Sequence, residues 1–157
     1  MPAIYFHYLT YDLLLDKKDP YRLVGLLGSQ GPDPLYYYGH GLSHRSNVLE
    51  TRKMGNRFHH EKIADYLAAM YEFASRRDDE KERDVLYAYI QGYLFHYFVD
   101  RNAHPYIFYR SGFSTPKDEN DVKYQFLHSK FESSLDIAIS KRYKLKRINP
   151  ALLIIVK

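Results

Sequence analysis

The sequence lacks two residue types altogether, since none of its 157 residues is cysteine or tryptophan. The absence of cysteine excludes disulfide frameworks, thiolate zinc sites and cysteine nucleophiles. No apolar run approaches the roughly 18 residues that a membrane-spanning helix needs, so we expect no stable membrane insertion. The amino-terminal segment has no basic stretch before an uninterrupted apolar core, which argues against a signal peptide and predicts a cytoplasmic protein.

The composition favours one globular domain with an unusually high number of histidines. Hydrophobic residues make up 45% of the chain and charged residues 27%, which is enough to bury a core. The formal net charge of +4 is too small to indicate a nucleic-acid-binding protein by itself. Eight histidines in so short a chain indicate metal binding or acid–base chemistry.

Hydrophobic periodicity predicts an all-α fold, a helical bundle. We expect a single helical domain over residues 1–157, either complete or truncated at its carboxyl end, because the final apolar run at residues 151–157 needs a partner. Glycine and proline interrupt helices, so residues 28–57 are predicted to be loop-rich and residues 116–120 to form a surface turn. The predicted helices cover residues 4–16, one or two turns at 21–27, then 59–76, 82–100 with an end marked by Asn102 to Pro105, and 121–142.

Two of the predicted helices carry a histidine and a carboxylate four residues apart on an apolar face. These pairs are His96 with Asp100, and His128 with Glu132. Side chains at this spacing lie one above the other, so each pair can reach a single ion. A buried lone carboxylate is costly unless it is paired or binds a metal, so the two pairs predict a metal site in the bundle core. Nitrogen and oxygen donors of this kind suit zinc, with manganese or iron as alternatives.

Three further residues extend the set of candidate ligands. His104 adds a nitrogen just past a predicted helix end, Asp33 could add an oxygen from a loop, and His7 lies on the apolar face of the first helix. The competing interpretation is structural, because a histidine on an apolar face is more often hydrogen-bonded to a backbone carbonyl. A histidine–carboxylate pair can likewise be a salt bridge that fixes the register of two helices.

Four segments together resemble a known family: GSQGPDPLYYY, FHHEK, GYLFHYFVDRNAHPYI and HSKFESSLD. They resemble the bacterial zinc-dependent phospholipase C family, which is all-helical and related to the S1/P1 nucleases, and the resemblance covers nearly the whole chain. It implies a cluster of two or three zinc ions in a cleft between helices. The phase of the motif favours His59 over His60. The implied ligands are Asp33, His59, His96 and Asp100 for one ion, His104, His128 and Glu132 for a second, and His7 with the chain's amino terminus and a bridging Asp100 for a third.

The resemblance also implies a reaction, the hydrolysis of a phosphodiester bond by a metal-activated water. Asp33 is the implied residue that orients or deprotonates this water. Three zinc ions would outweigh the three carboxylates, so the site would attract a phosphate-containing substrate, a phospholipid being one candidate. Two alternatives stay open. One is an S1/P1-type nuclease or another phosphoesterase, which would make nucleic acid the partner, and the other is a non-catalytic metal-binding helical protein.

Overall fold

The computed structural model describes residues 4–38, 47–113 and 121–144. Within these ranges the chain forms α-helices and no strand, so the predicted all-α class is confirmed. None of the helices in the described ranges is both long and apolar enough to cross a membrane. The cytoplasmic location stays a prediction. The helices are α1 (Ile4–Leu14), α2 (Arg22–Gly28), α3 (Pro34–Tyr37), α4 (Val48–His60), α5 (Ile63–Ser75), α6 (Glu80–Ser111) and α7 (Asp121–Arg142).

The chain divides into two compact units, and α1 and α6 each contribute residues to both of them. We call residues 11–97 the central unit, and residues 1–10 with 98–157 the terminal unit. The central unit contains α2 to α5 and the first part of α6. The terminal unit contains the first turns of α1, the last part of α6, and α7. The prediction that residues 1–157 form one domain stays a prediction.

The loop predicted over residues 28–57 is wrong from residue 48 onward, because α4 begins at Val48. Gly55 was expected to interrupt a helix, yet it is buried inside α4, where a Cβ atom would lie only 3.1 Å from the Cβ of Leu35 on α3. Packing against α3 therefore outweighs the low helix propensity of glycine.

The helix predicted over residues 59–76 is in fact two helices. The chain leaves the helical conformation at Lys62, whose φ of 47° lies in the left-handed region. A right-handed helix cannot continue through that conformation, so α4 ends at His60 and α5 begins at Ile63. As a result, His59 lies in the last turn of α4 and not at the start of a helix.

The predicted end of the long helix at Asn102 to Pro105 is also wrong, since α6 continues through Pro105 to Ser111. Proline removes one backbone hydrogen bond from a helix. Burial of Ile107, which is only 4% exposed, offsets part of this loss in the turn after the proline. His104 therefore lies inside α6 and not beyond its end. The predicted helix over 121–142 is confirmed, whereas the predicted turn at 116–120 and the apolar run at 151–157 lie outside the described residues.

Glycines allow α2 and α6 to approach each other closely in the central unit. A Cβ atom on Gly28 would lie 3.0 Å from the carbonyl carbon of Tyr89, and one on Gly92 would lie 2.8 Å from the backbone nitrogen of Ser29. Any larger residue at these positions would force the two backbones apart. Leu26 on α2 is completely buried, and the segment after α2 lies against α6, where the carbonyl of Ser29 meets the ring of His96.

The terminal unit is held together by contacts of α7 with the other two helices. The rings of Tyr106 on α6 and Phe131 on α7 meet edge to face, with centroids 6.1 Å apart. The carboxylate of Asp136 accepts hydrogen bonds from the backbone N–H groups of Tyr5 and Phe6, at the start of α1. These contacts bring three helices together around the polar side chains of this unit.

Candidate metal centre

Asp33, His59 and His96 form a group of possible metal ligands in the central unit, which we call the central donor group. Their ligand-type atoms all lie within 4.8 Å of one another. Nε2 of His59 is 2.8 Å from Oδ1 of Asp33, and Nε2 of His96 is 3.8 Å from the same oxygen. The two Nε2 atoms are 3.4 Å apart. His96 is fully buried and Asp33 is 3% exposed, so the group lies inside the unit.

Backbone carbonyls fix the orientation of both imidazole rings. Nδ1 of His59 is 2.8 Å from the carbonyl oxygen of Gly55, and Nδ1 of His96 is 3.2 Å from that of Ser29. A carbonyl oxygen can only accept a hydrogen bond, so each Nδ1 carries the proton. In the neutral ring, each Nε2 therefore presents a lone pair. This is the arrangement that metal-ligating histidines usually adopt.

The central donor group fits a divalent cation better than it fits a proton. Two lone pairs and one carboxylate oxygen converge, and such atoms repel one another unless a positive charge lies between them. A proton on Nε2 of His59 would satisfy the contact with Asp33 but not the approach of His96. A zinc ion would accept all three donors at once.

Three helices position the members of this group. Asp33 is the residue before α3, and its side chain makes no capping hydrogen bond to that helix. His59 is in the last turn of α4 and His96 is on α6. Gly31 has a φ of 55°, and a Cβ atom there would lie 2.8 Å from Nδ1 of His96 and closer still to its ring carbons. The backbone at Gly31 thus packs directly on the imidazole and helps to hold it.

His104, His128 and Glu132 form a second group, which we call the terminal donor group. Their ligand-type atoms also lie within 4.8 Å of one another. Oε1 of Glu132 is 3.0 Å from Nε2 of His128 and 3.4 Å from Nε2 of His104. His128 and Glu132 are one turn apart on α7, whereas His104 comes from α6. The two imidazole rings stack, with centroids 5.4 Å apart.

The environment of Glu132 keeps its carboxylate charged. Burial alone would raise the pKa of Glu132, but hydrogen bonds from His104 and His128 outweigh burial and lower the pKa to about 2. The carboxylate is therefore ionised at neutral pH, which is the state that a metal ligand needs. The ring of Phe108 lies 4.8 Å from that of His128 and 5.6 Å from that of His104, so one side of the group is apolar.

The family model described as Zinc dependent phospholipase C matches residues 11–155. The chain belongs to the zinc dependent phospholipase C family. No curated protein and no solved structure matches the chain. The zinc dependence of the family agrees with two groups that each offer two imidazole nitrogens and one carboxylate oxygen.

The remaining two candidate ligands form a pair within the terminal unit. Nε2 of His7 is 3.2 Å from Oδ1 of Asp100, and His7 is only 2% exposed. His7 lies before the residues that match the zinc dependent phospholipase C model, whereas the other seven candidates lie within them. His60 belongs to none of the ligand groups found among the described residues. The expectation that all of the candidates share one cleft stays a prediction.

The sequence interpretation missed the residues that hold the candidate ligands of this phospholipase C family member in place. These are the carbonyl groups of Ser29 and Gly55, the backbone at Gly31, and the ring of Phe108. The glycine-rich segment GSQG, which ends two residues before Asp33, was the available signal, because glycine often marks a close backbone approach.

Proposed function

We propose that this protein hydrolyses phosphodiester bonds, with one zinc ion held by each donor group. The observation that carries the proposal is the composition of the two groups. Each one places two imidazole nitrogens and one carboxylate oxygen within 4.8 Å of one another, in a member of a zinc dependent phospholipase C family. A purely structural role for these histidines would not explain why two separate places have the same combination of zinc-type donor atoms.

The charge of each group supports a phosphate-containing substrate. When bound, zinc lowers the pKa of a coordinated water and offsets the negative charge of a phosphate group. Each group contains a single carboxylate, so a divalent ion leaves it with a net positive charge that attracts an anionic phosphodiester. A phospholipid is the substrate that the family description favours.

Asp33 is our candidate for the residue that orients the attacking water and accepts its proton. Asp33 is only 3% exposed, and its Oδ1 faces the two imidazoles of the central donor group. We assign proton acceptance to Oδ2, the other oxygen of the same carboxylate. A general base must lie within hydrogen-bond reach of the proton that it takes, and a side chain at the metal group meets that requirement. The His7–Asp100 pair is the candidate for a third ion.

The experiment that tests this proposal compares two adjacent histidines. The full chain is loaded with zinc, zinc per chain is measured by elemental analysis, and release of the phosphorylated head group from a diacylglycerophospholipid in micelles is followed. His59→Ala should lower the zinc content by one ion and abolish turnover. His60→Ala is the matched control, since it removes the same side chain one position along and should change neither quantity.

Two outcomes would contradict the proposal. If His59→Ala turned over substrate as fast as the wild type, the central donor group would have no part in catalysis. Bound zinc without hydrolysis of phospholipid or of single-stranded nucleic acid would favour the non-catalytic alternative. Cleavage of single-stranded nucleic acid alone would keep the phosphodiesterase proposal but assign the substrate of an S1/P1-type nuclease.

A further inference from the structure

The first turn of α1 receives its capping hydrogen bonds from another helix. The first N–H groups of a helix have no acceptor within the helix and are usually satisfied by the residue just before it. Here Oδ1 of Asp136 accepts the N–H of Phe6 at 3.0 Å, and Oδ2 accepts the N–H of Tyr5 at 3.2 Å. The acceptor therefore lies on α7, about 130 residues further along the chain.

The use of both carboxylate oxygens fixes the rotation of α1 as well as its position. One hydrogen bond would let the helix pivot about the acceptor, whereas two adjacent bonds to one rigid carboxylate resist that motion. His7 follows Phe6 directly, so the rotation of this turn decides where the imidazole of His7 points. A rotation of about 10° moves a side-chain atom that lies about 6 Å from the helix axis by about 1 Å.

A displacement of that size matters for His7, because its contact is short and buried. Nε2 of His7 is 3.2 Å from Oδ1 of Asp100, and only 2% of the residue is exposed. Functional groups generally need to be held to within about 0.5 Å of their productive position. The side chain that holds α1 thus has a direct influence on the His7–Asp100 pair.

The helix that supplies this side chain is also the helix of the terminal donor group. Glu132 lies one turn before Asp136 on α7, and His128 lies two turns before it. We propose that Asp136 is a positioning residue, which holds α1 so that the His7–Asp100 pair keeps its place relative to the terminal donor group. This inference rests on the proposed function only for its effect on turnover.

The test replaces Asp136 by asparagine and by glutamate in the full chain. Asparagine retains one acceptor oxygen and the shape of the side chain, whereas glutamate retains both acceptors on a longer arm. Asp65→Asn is the matched control, because it makes the same chemical change at an exposed position on α5. The readouts are the imidazole NMR resonances of His7, zinc content, and separate kcat and KM values, all taken below the unfolding temperature of each variant.

We expect Asp136→Asn to shift the His7 resonances and lower kcat about 10- to 100-fold, the usual effect of removing a residue that orients a metal ligand. KM should change little, both donor groups should keep their zinc, and Asp136→Glu should recover part of kcat. Unchanged His7 resonances in the folded Asp136→Asn variant would overturn the inference, as would a variant that is less stable but keeps the wild-type kcat. If the wild type shows no hydrolysis, the proposed function fails, while the His7 resonances still decide the role of Asp136. If the Asp136→Asn variant does not fold, the His7 resonances and kcat of Asp136→Glu are compared with those of the wild type.

Discussion

Replacing Gly31 by alanine should release His96 from the central donor group. Gly31 has a φ of 55°, a conformation that costs a residue with a Cβ atom about 1–2 kcal/mol. The added methyl group would also lie 2.8 Å from Nδ1 of His96, where about 3.5 Å is the ordinary contact distance. The imidazole, the backbone or both must therefore move by about 0.7 Å or more.

The size of this displacement sets the expected loss of zinc affinity. Distances between zinc and its ligands vary by only about 0.2 Å, so a shift of about 0.7 Å would remove His96 from the coordination shell of the zinc ion that we propose for this group. We expect the zinc affinity of the central donor group to fall at least about 10- to 100-fold, the range seen when even an outer partner of a ligand is lost. The free energy of unfolding should fall by about 2–5 kcal/mol, as the sum of backbone strain and overpacking.

Zinc titration against a competing chelator measures the affinity, and the imidazole resonances of His59 and His96 report on the group itself. Gly112→Ala is the matched control, because Gly112 also has a positive φ of 89° but its Cβ atom would meet Tyr124 in the terminal unit. The control should lose stability and keep the resonances of the central donor group. Wild-type zinc affinity and unchanged His96 resonances in Gly31→Ala would refute the reasoning.

Two further predictions concern stability. Burial raises the pKa of Asp136 to about 6 from its ordinary 3.8, despite the hydrogen bonds from Tyr5 and Phe6. Because the folded-state pKa is the higher one, this group contributes stability below about pH 4 that is lost as the pH rises through about 6. The shift sets an upper bound of about 3 kcal/mol, which solvent screening reduces to about 1–2 kcal/mol. Denaturant unfolding of the zinc-free chain between pH 4 and 7 should therefore show the wild type losing more stability than Asp136→Asn, and parallel profiles would contradict this. Leu26→Ala should cost about 2–5 kcal/mol in the same assay, because Leu26 on α2 is fully buried. Leu14→Ala, at a position that is 73% exposed, is its control and should cost less than about 1 kcal/mol.

The parts of the fold that follow from local periodicity could be predicted from the sequence. The helix over residues 121–142 shows this, because its apolar spacing continues without a residue that opposes a helix. Two of the errors arose where packing outweighs a local preference. Gly55 inside α4 and Pro105 inside α6 both oppose helix formation, yet Gly55 packs against α3 and the turn after Pro105 buries Ile107. No pattern within either segment shows which neighbours will cover it.

The same distinction applies to the candidate site. His128 and Glu132 could be paired from the sequence, because a spacing of four on one helix brings their side chains together. The approach of Asp33 to His59 could not be derived in this way, since it depends on how α3 packs against α4. Only the family resemblance linked these two residues before the structure was known.

The prediction that His59 rather than His60 is a ligand has a physical basis that can be found in the sequence once the structure is known. Gly55 lies four residues before His59, where the missing side chain lets α3 approach, and its carbonyl oxygen is 2.8 Å from Nδ1 of that ring. Gly92 lies four residues before His96, where the missing side chain lets α2 approach and bring the carbonyl of Ser29 to that ring. The residue four before His60 is Asn56, which is exposed, in contrast to the buried Gly55. In the central donor group, a glycine one turn before each histidine therefore lets a neighbouring segment approach closely. In both cases Nδ1 has a backbone acceptor and Nε2 faces the carboxylate of Asp33.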